Sequence, residues 1–122
     1  MQRRLRVLAI FALLTALVAS SPGAVLGNSA TINPHSQTHN HGVKSSWGLS
    51  WTGTAPFDSV FTHGDGSGIE IWTFGLSYNQ THTFWPCTTT TFTQILTVED
   101  SHTPHLITQD SSTAKEFGGT PC

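Results

Sequence analysis

Thr88-Thr89-Thr90-Thr91-Phe92-Thr93-Gln94-Ile95-Leu96-Thr97-Val98 is a run dominated by β-branched and aromatic residues, the composition that suits a pleated, half-buried surface. Phe92, Leu96 and Val98 fall on one face with Gln94 among them, and Thr91, Thr93, Ile95 and Thr97 fall on the other. The segment reads as a long strand. Glu99-Asp100-Ser101-His102-Thr103-Pro104 turns the chain, and His105 to Ala114 reads as a weaker returning strand. If these two strands form an antiparallel hairpin, the tail comes back toward residue 87. Cys87 and Cys122, the two cysteines of the chain, are then placed to form a disulfide.

Upstream the same period recurs. Trp47, Leu49 and Trp51 alternate with Ser46, Gly48, Ser50 and Thr52, the pattern of a strand with one buried face. A turn over residues 52–56 leads to a strand from Phe57 to His63. That strand ends at Gly64-Asp65-Gly66-Ser67-Gly68, where glycine supplies the positive φ of a tight turn. Ile69 to Phe74 reads as a third strand, apolar on both faces and therefore either covered twice or at an edge. Residues 76–80 read as a loop. Thr81 to Trp85 reads as a short extended piece stopped by Pro86. No window carries helical periodicity. Short strands separated by turn signals predict an all-β, antiparallel sandwich.

The chain opens Met-Gln-Arg-Arg-Leu-Arg and continues into an apolar run from Val7 to Ala19. A basic start followed by about 13 apolar residues, short of the roughly 20 that a membrane span requires, is the layout of a secretory signal peptide. Residues 1–27 are assigned to it. Residues 28–44 are polar and rich in Asn, Ser, Thr and His, and read as a flexible arm. Residues 45–122 are assigned to the sandwich domain. Beyond residue 27, Lys44 and Lys115 stand against all seven acids, a net charge of −5 with His neutral. Such a surface repels phosphate backbones and argues against nucleic acid as a partner. After signal cleavage no membrane span is expected, and the protein is expected outside the cell.

Four segments in register resemble the PKD domain, a family of immunoglobulin-like β-sandwiches. Phe61-Thr62-His63-Gly64-Asp65-Gly66 resembles its W-x-F-G-D-G signature, and Thr81-His82-Thr83-Phe84 its H-x-Y/F segment. Phe92-Thr93-Gln94-Ile95-Leu96-Thr97-Val98-Glu99-Asp100 resembles its Y-x-V-x-L-x-V-x-D strand, and Gly53-Thr54-Ala55-Pro56 its G-x-x-P turn. Together they cover roughly residues 46–118. The chain departs from that pattern at Phe61, His63 and Gln94, where the family has tryptophan, a second aromatic residue and valine. The departures place polar His63 and Gln94 at core positions, where both are expected to be hydrogen-bonded, with each other as one option. The resemblance implies an extracellular, mostly non-catalytic module for adhesion, spacing, or the binding of polysaccharide or protein.

Three groups of residues carry possible binding chemistry. His35, His39 and His41 have a spacing at which imidazoles on a flexible arm can wrap a divalent metal, and no other cofactor is implied. Trp72, Tyr78 and Trp85 are candidates for an exposed aromatic platform, since aromatic faces stack on sugar rings and anchor protein partners. Trp47 and Trp51 share a face with Leu49 and read as core. Asp65 in its Gly-Asp-Gly turn reads as a structural aspartate, with a Ca²⁺ role beside Glu99 or Asp100 as the alternative. Neither G-x-S-x-G nor H-E-x-x-H occurs, and no nucleophile, base and orienter stand together in a recognisable motif, so a non-enzymatic protein is expected. Asn79-Gln80-Thr81 is an acceptor sequon for N-glycosylation.

Overall fold

The computed structural model describes residues 28–122, and the signal-peptide assignment lies outside them. Eight strands follow in chain order: β1 (Ala30–Asn33), β2 (Ser36–His39), β3 (Lys44–Trp51), β4 (Phe57–Thr62), β5 (Gly68–Thr73), β6 (Ser77–Thr83), β7 (Thr90–Glu99) and β8 (Ile107–Glu116). They form a three-stranded sheet, β1-β3-β6, and a five-stranded sheet, β2-β8-β7-β4-β5. All pairings are antiparallel except β2 with β8, which is parallel. The fold is an all-β sandwich, as the alternation predicts. No helix among the described residues is long and apolar enough to cross a membrane.

The core follows from period-two geometry. Ser45, Trp47, Leu49 and Trp51 are the buried positions of β3 on the inner face. The opposing sheet sends Phe57 and Phe61 from β4, Ile71 from β5, and Leu96 and Val98 from β7 into the same layer. Trp47 is the central ring, edge-on to Phe61 at 5.4 Å and to Phe84 at 6.3 Å. Aromatic pairs with this perpendicular offset are favoured over face-to-face stacks because ring edges are positive and faces negative.

Three stretches differ from the sequence reading. Residues 28–44 are not a flexible arm. β1 pairs with β3 and β2 with β8, so the N-terminal segment crosses from one sheet to the other. Ile32, fully buried, is the one large apolar side chain this segment contributes to the core. Its strand character comes from pairing with neighbours rather than from its own composition. Residues 77–80, read as loop, belong to β6, a polar edge strand paired to β3 from Ser77↔Ser50 to Thr83↔Lys44. The last strand runs two residues later than read, from Ile107 to Glu116. β5 does lie at a sheet edge.

The β7–β8 hairpin forms as expected, and it carries the tail back to a Cys87–Cys122 disulfide with the two Cα atoms 5.0 Å apart. The bond closes 35 residues. Its removal by a Cys87→Ser/Cys122→Ser double substitution is expected to lower stability by roughly 3 to 4 kcal/mol on the chain-entropy model. Urea denaturation of the two forms, followed by circular dichroism, measures this directly.

Candidate functional site

Two regions carry chemistry. The first is the open edge where β5 passes to β6. Trp72, Phe74, Leu76 and Tyr78 are 43%, 65%, 54% and 42% exposed, four large apolar side chains within seven positions. Trp72 and Phe74 meet edge-to-face at 5.1 Å. The connection that presents them is tied to the core. Trp51 donates its backbone N–H to Leu76 O at 3.0 Å and its indole Nε1–H to Gly75 O at 3.0 Å. Gly75 N–H donates in turn to Thr73 Oγ1 at 2.9 Å. A buried tryptophan thus holds an exposed aromatic edge in place.

Of the three tryptophan and tyrosine positions singled out in the sequence, Trp72 packs with Phe74 at this edge, Tyr78 stands on the other strand of it opposite Leu49, with its ring on the side of β6 that Leu49 shares, and Trp85 lies elsewhere. Trp85 lies past the far end of β6, edge-on to His41 at 5.4 Å and over Gly42. Gly42 has φ +72°, and a Cβ there would come within 2.7 Å of the Trp85 ring. Phe74 and Leu76 were not anticipated as part of the edge. Their position beside Gly75 in an otherwise uncharged stretch, residues 71–81, was the available signal.

The second region is the β4–β5 turn and the strand that faces it. His63, Asp65 and His82 offer donor atoms that all lie within 4.8 Å of one another. Asp65 sits in an Asx turn and accepts from both Ser67 N–H, at 3.0 Å, and Ser67 Oγ–H through Oδ1. His82 Nε2–H donates to Asp65 Oδ2 at 2.7 Å. The His63 and His82 rings stack in parallel, 4.0 Å between centroids. Behind them, Phe61 and Trp47 wall off His63, which is only 3% exposed.

The tautomer of His63 follows from its neighbours. The Gln80 side-chain nitrogen donates to Thr81 O at 3.1 Å, which fixes the amide orientation. The same nitrogen lies 3.2 Å from His63 Nε2, so Nε2 is the acceptor and Nδ1 carries the proton. Nδ1–H donates to Ser67 Oγ at 2.9 Å. In this wiring the imidazole gives a proton to Ser67 and is not placed to take one from it, unlike the base of an activated nucleophile. Burial, then the neighbouring His82, hold the His63 imidazole below its ordinary value, against an opposing pull from Asp65. For Asp65, burial favours the neutral acid, but the bonds from Ser67 and His82 outweigh it and leave the pKa at about 2. The cluster therefore sets a neutral imidazole beside a carboxylate.

The buried polar pair expected at His63 and Gln94 is hydrogen-bonded, through the backbone on one side. Gln94 Nε2–H donates to His63 O at 2.9 Å and to Phe92 O at 3.1 Å, while Ser112 Oγ–H donates to Gln94 Oε1 at 2.9 Å.

The structure does not bring His35, His39 and His41 together as a metal site. His35 Nε2 is 2.9 Å from Asp110, His39 Nδ1 is 3.3 Å from Glu116, and His41 Nε2 is 2.7 Å from Pro121 O. The reason is the folding of the segment: in an extended strand four residues span roughly 13 Å, so His35 and His39 cannot converge on one ion. Asp65 also cannot share an ion with Glu99 or Asp100. β4 runs antiparallel to β7, with Asp58 opposite Glu99 and Thr62 opposite Ile95, which puts the 64–67 turn at the other end of the sandwich. Asp100 instead accepts four hydrogen bonds of its own.

Comparison with protein-family models, curated proteins and solved structures finds no match.

Proposed function

We propose that this protein is a secreted, non-enzymatic binding module with an immunoglobulin-like sandwich of the PKD type, and that it engages an extracellular polysaccharide through the β5–β6 edge. The observation that carries the reading is the exposure of Trp72, Phe74, Leu76 and Tyr78 on a connection pinned to the core by Trp51. A presented, pre-ordered aromatic edge loses little conformational freedom on binding. Its chemistry favours a neutral sugar polymer over an anionic partner, since Asp58, Glu99 and Asp100 lie beside Trp72. Between the aromatics stand Thr73, Gly75 and Ser77, and residues 71–81 contain no charged side chain.

The extracellular setting is supported by the basic and apolar N-terminus and the disulfide. The sandwich type is supported by the four sequence segments in register. It is further supported by the division of strands between a β1-β3-β6 sheet and a sheet built on β8-β7-β4, with Phe61 of β4 packed on Trp47 of β3.

The test is co-sedimentation of the oxidised protein with insoluble polysaccharides and cell-wall preparations. A Trp72→Ala/Phe74→Ala variant is expected to lose binding by about 10-fold or more, on the scale of buried aromatic anchors. Trp85→Ala is expected to bind like the unchanged protein. Retention by all three forms, or by none, overturns the polysaccharide reading. Specific loss of the aromatic variant from a protein component of the wall, with purified sugars inert, reassigns the edge to a protein partner.

A further inference from the structure

We propose that His63, Asp65 and His82 form a binding site for a divalent transition-metal ion of the zinc class. The site is independent of the aromatic edge and of what that edge binds. Two imidazoles and one carboxylate are a donor set suited to Zn²⁺ and its neighbours in the first transition row. A single carboxylate among nitrogen donors does not suit Ca²⁺ or Mg²⁺, which require oxygen ligands. With three protein donors, a tetrahedral ion keeps one position open.

The surroundings are arranged as the outer shell of a metal site is. A ligating histidine characteristically gives its second ring N–H to a fixed acceptor, which sets the tautomer and leaves the other nitrogen for the ion. His63 does this: Nδ1–H goes to Ser67 Oγ, and Nε2 is left with a lone pair. Among the described residues that lone pair is met by the Gln80 amide, which keeps its own bond to Thr81 O and can yield the position. Ser67 also holds Asp65 through Oδ1, leaving Oδ2 directed at His82.

The base of the site is buried and its mouth is partly exposed. Gly64 has φ +93°, and a Cβ there would run into the Thr93 backbone, so the turn is seated against β7 and accepts only glycine. His63 is buried against Phe61 and Trp47. His82 and Asp65 are about a quarter exposed on their side chains. The present stack sets the two imidazole planes side by side. Binding requires the proton that His82 Nε2 now gives to Asp65 Oδ2 to move to Nδ1 or to solvent, so that the ion takes its place among donor atoms already within 4.8 Å of one another. The exposed member of the stack is the one that has to give up its proton.

Zinc titration of the oxidised protein by calorimetry tests this, beside His82→Ala, Ser67→Ala and a His35→Ala/His39→Ala/His41→Ala variant. One Zn²⁺ per chain with micromolar or tighter affinity is expected, lost in His82→Ala and unchanged in the triple variant. Ser67→Ala is expected to weaken it by about 10-fold or more, the usual effect of removing an outer-shell partner. A second measurement does not depend on the variants folding. In long-range ¹H–¹⁵N spectra of the unchanged protein, zinc should shift the ring nitrogens of His63 and His82 and leave those of the N-terminal histidines in place. Absence of saturable micromolar binding, binding that survives His82→Ala, or shifts confined to His35, His39 and His41 would overturn the assignment.

Discussion

Replacing Asp100 by alanine should cost about 3 to 5 kcal/mol, since it removes a buried carboxylate that satisfies several otherwise orphaned donors. Asp100 is 3% exposed and ends the longest strand pair of the fold. Its Oδ1 accepts from the backbone N–H of His102 at 3.1 Å and of Leu106 at 3.0 Å, closing the β7–β8 turn on itself. Its Oδ2 accepts from Thr54 N–H at 3.1 Å and from the Asn28 side chain at 3.0 Å. One side chain therefore joins the N-terminal segment, the β3–β4 loop and the β7–β8 turn. Gly53, at φ +140°, passes so close that a Cβ would lie 3.0 Å from Asp100 Oδ2. Alanine leaves three backbone N–H groups without their acceptor. Asparagine keeps the shape but turns an NH₂ group toward donors, so Asp100→Asn should cost less than alanine, by about 1 to 2 kcal/mol.

The same carboxylate sets a pH dependence with a defined sign. Burial works to raise the Asp100 pKa, but the bonds from Leu106, Asn28, Thr54 and His102 prevail and hold it below the ordinary value. A group with a depressed folded pKa contributes stability above its unfolded pKa, near 3.9, and loses it as pH falls through the folded value. The stability gap between the unchanged protein and Asp100→Asn should therefore be full at pH 6 and narrow steadily below about pH 4. Denaturant curves at a series of pH values measure it. A gap that stays constant down to acid pH would mean that the four bonds do not distinguish the charged form.

How much of this was legible depends on whether a segment carries its own periodicity. β3 declared itself because Trp47, Leu49 and Trp51 bury every second side chain, and β7 because Leu96 and Val98 do the same. The β7–β8 hairpin then fixed the disulfide without further information. β1 and β2 were illegible. Ala-Thr-Ile-Asn and Ser-Gln-Thr-His contain one large apolar residue between them, and they become strands by adding to sheets that already exist. β6 was half legible for a related reason: an edge strand facing solvent with Asn, Gln, Thr and His resembles a loop in composition. The His63–Asp65–His82 cluster was hidden differently. Both of its segments stood out, one as a Gly-Asp-Gly turn and one as the lead into a long strand. Asp65 and His82 are 17 residues apart, and only the meeting of the β4–β5 turn with β6 across the sandwich edge makes them neighbours. Spacing along the chain carries no trace of that meeting. The N-terminal histidines misled for the converse reason, since proximity in sequence implied proximity in space only while the segment was taken as flexible.

Trp47→Ala should be the most damaging core substitution, costing about 4 to 5 kcal/mol out of a total stability on the order of 5 to 15. Trp47 is 2% exposed and touches three other rings, those of Phe61, Phe84 and His63, so its removal opens a cavity at the junction of the two sheets. Phe61 and Phe84 are each almost wholly buried around it and cannot both move inward without leaving their own neighbours. Trp47→Phe separates two contributions. The Trp47 indole Nε1 finds no hydrogen-bond partner among the described residues, and an orphaned buried donor costs about 1 to 3 kcal/mol. Phenylalanine loses part of the ring volume but also removes that donor, so its net cost should be only about 1 kcal/mol, well below what the lost volume alone would dictate. Circular dichroism is the suitable readout, because both variants delete a fluorophore. A Trp47→Phe cost that approaches that of Trp47→Ala would show that the indole N–H is satisfied in solution and that Trp47 stabilises the sandwich through a bond as well as through packing. A small cost with a large one for alanine would fix the position as pure volume, the plug on which Phe61, Phe84 and the wall behind His63 all rest.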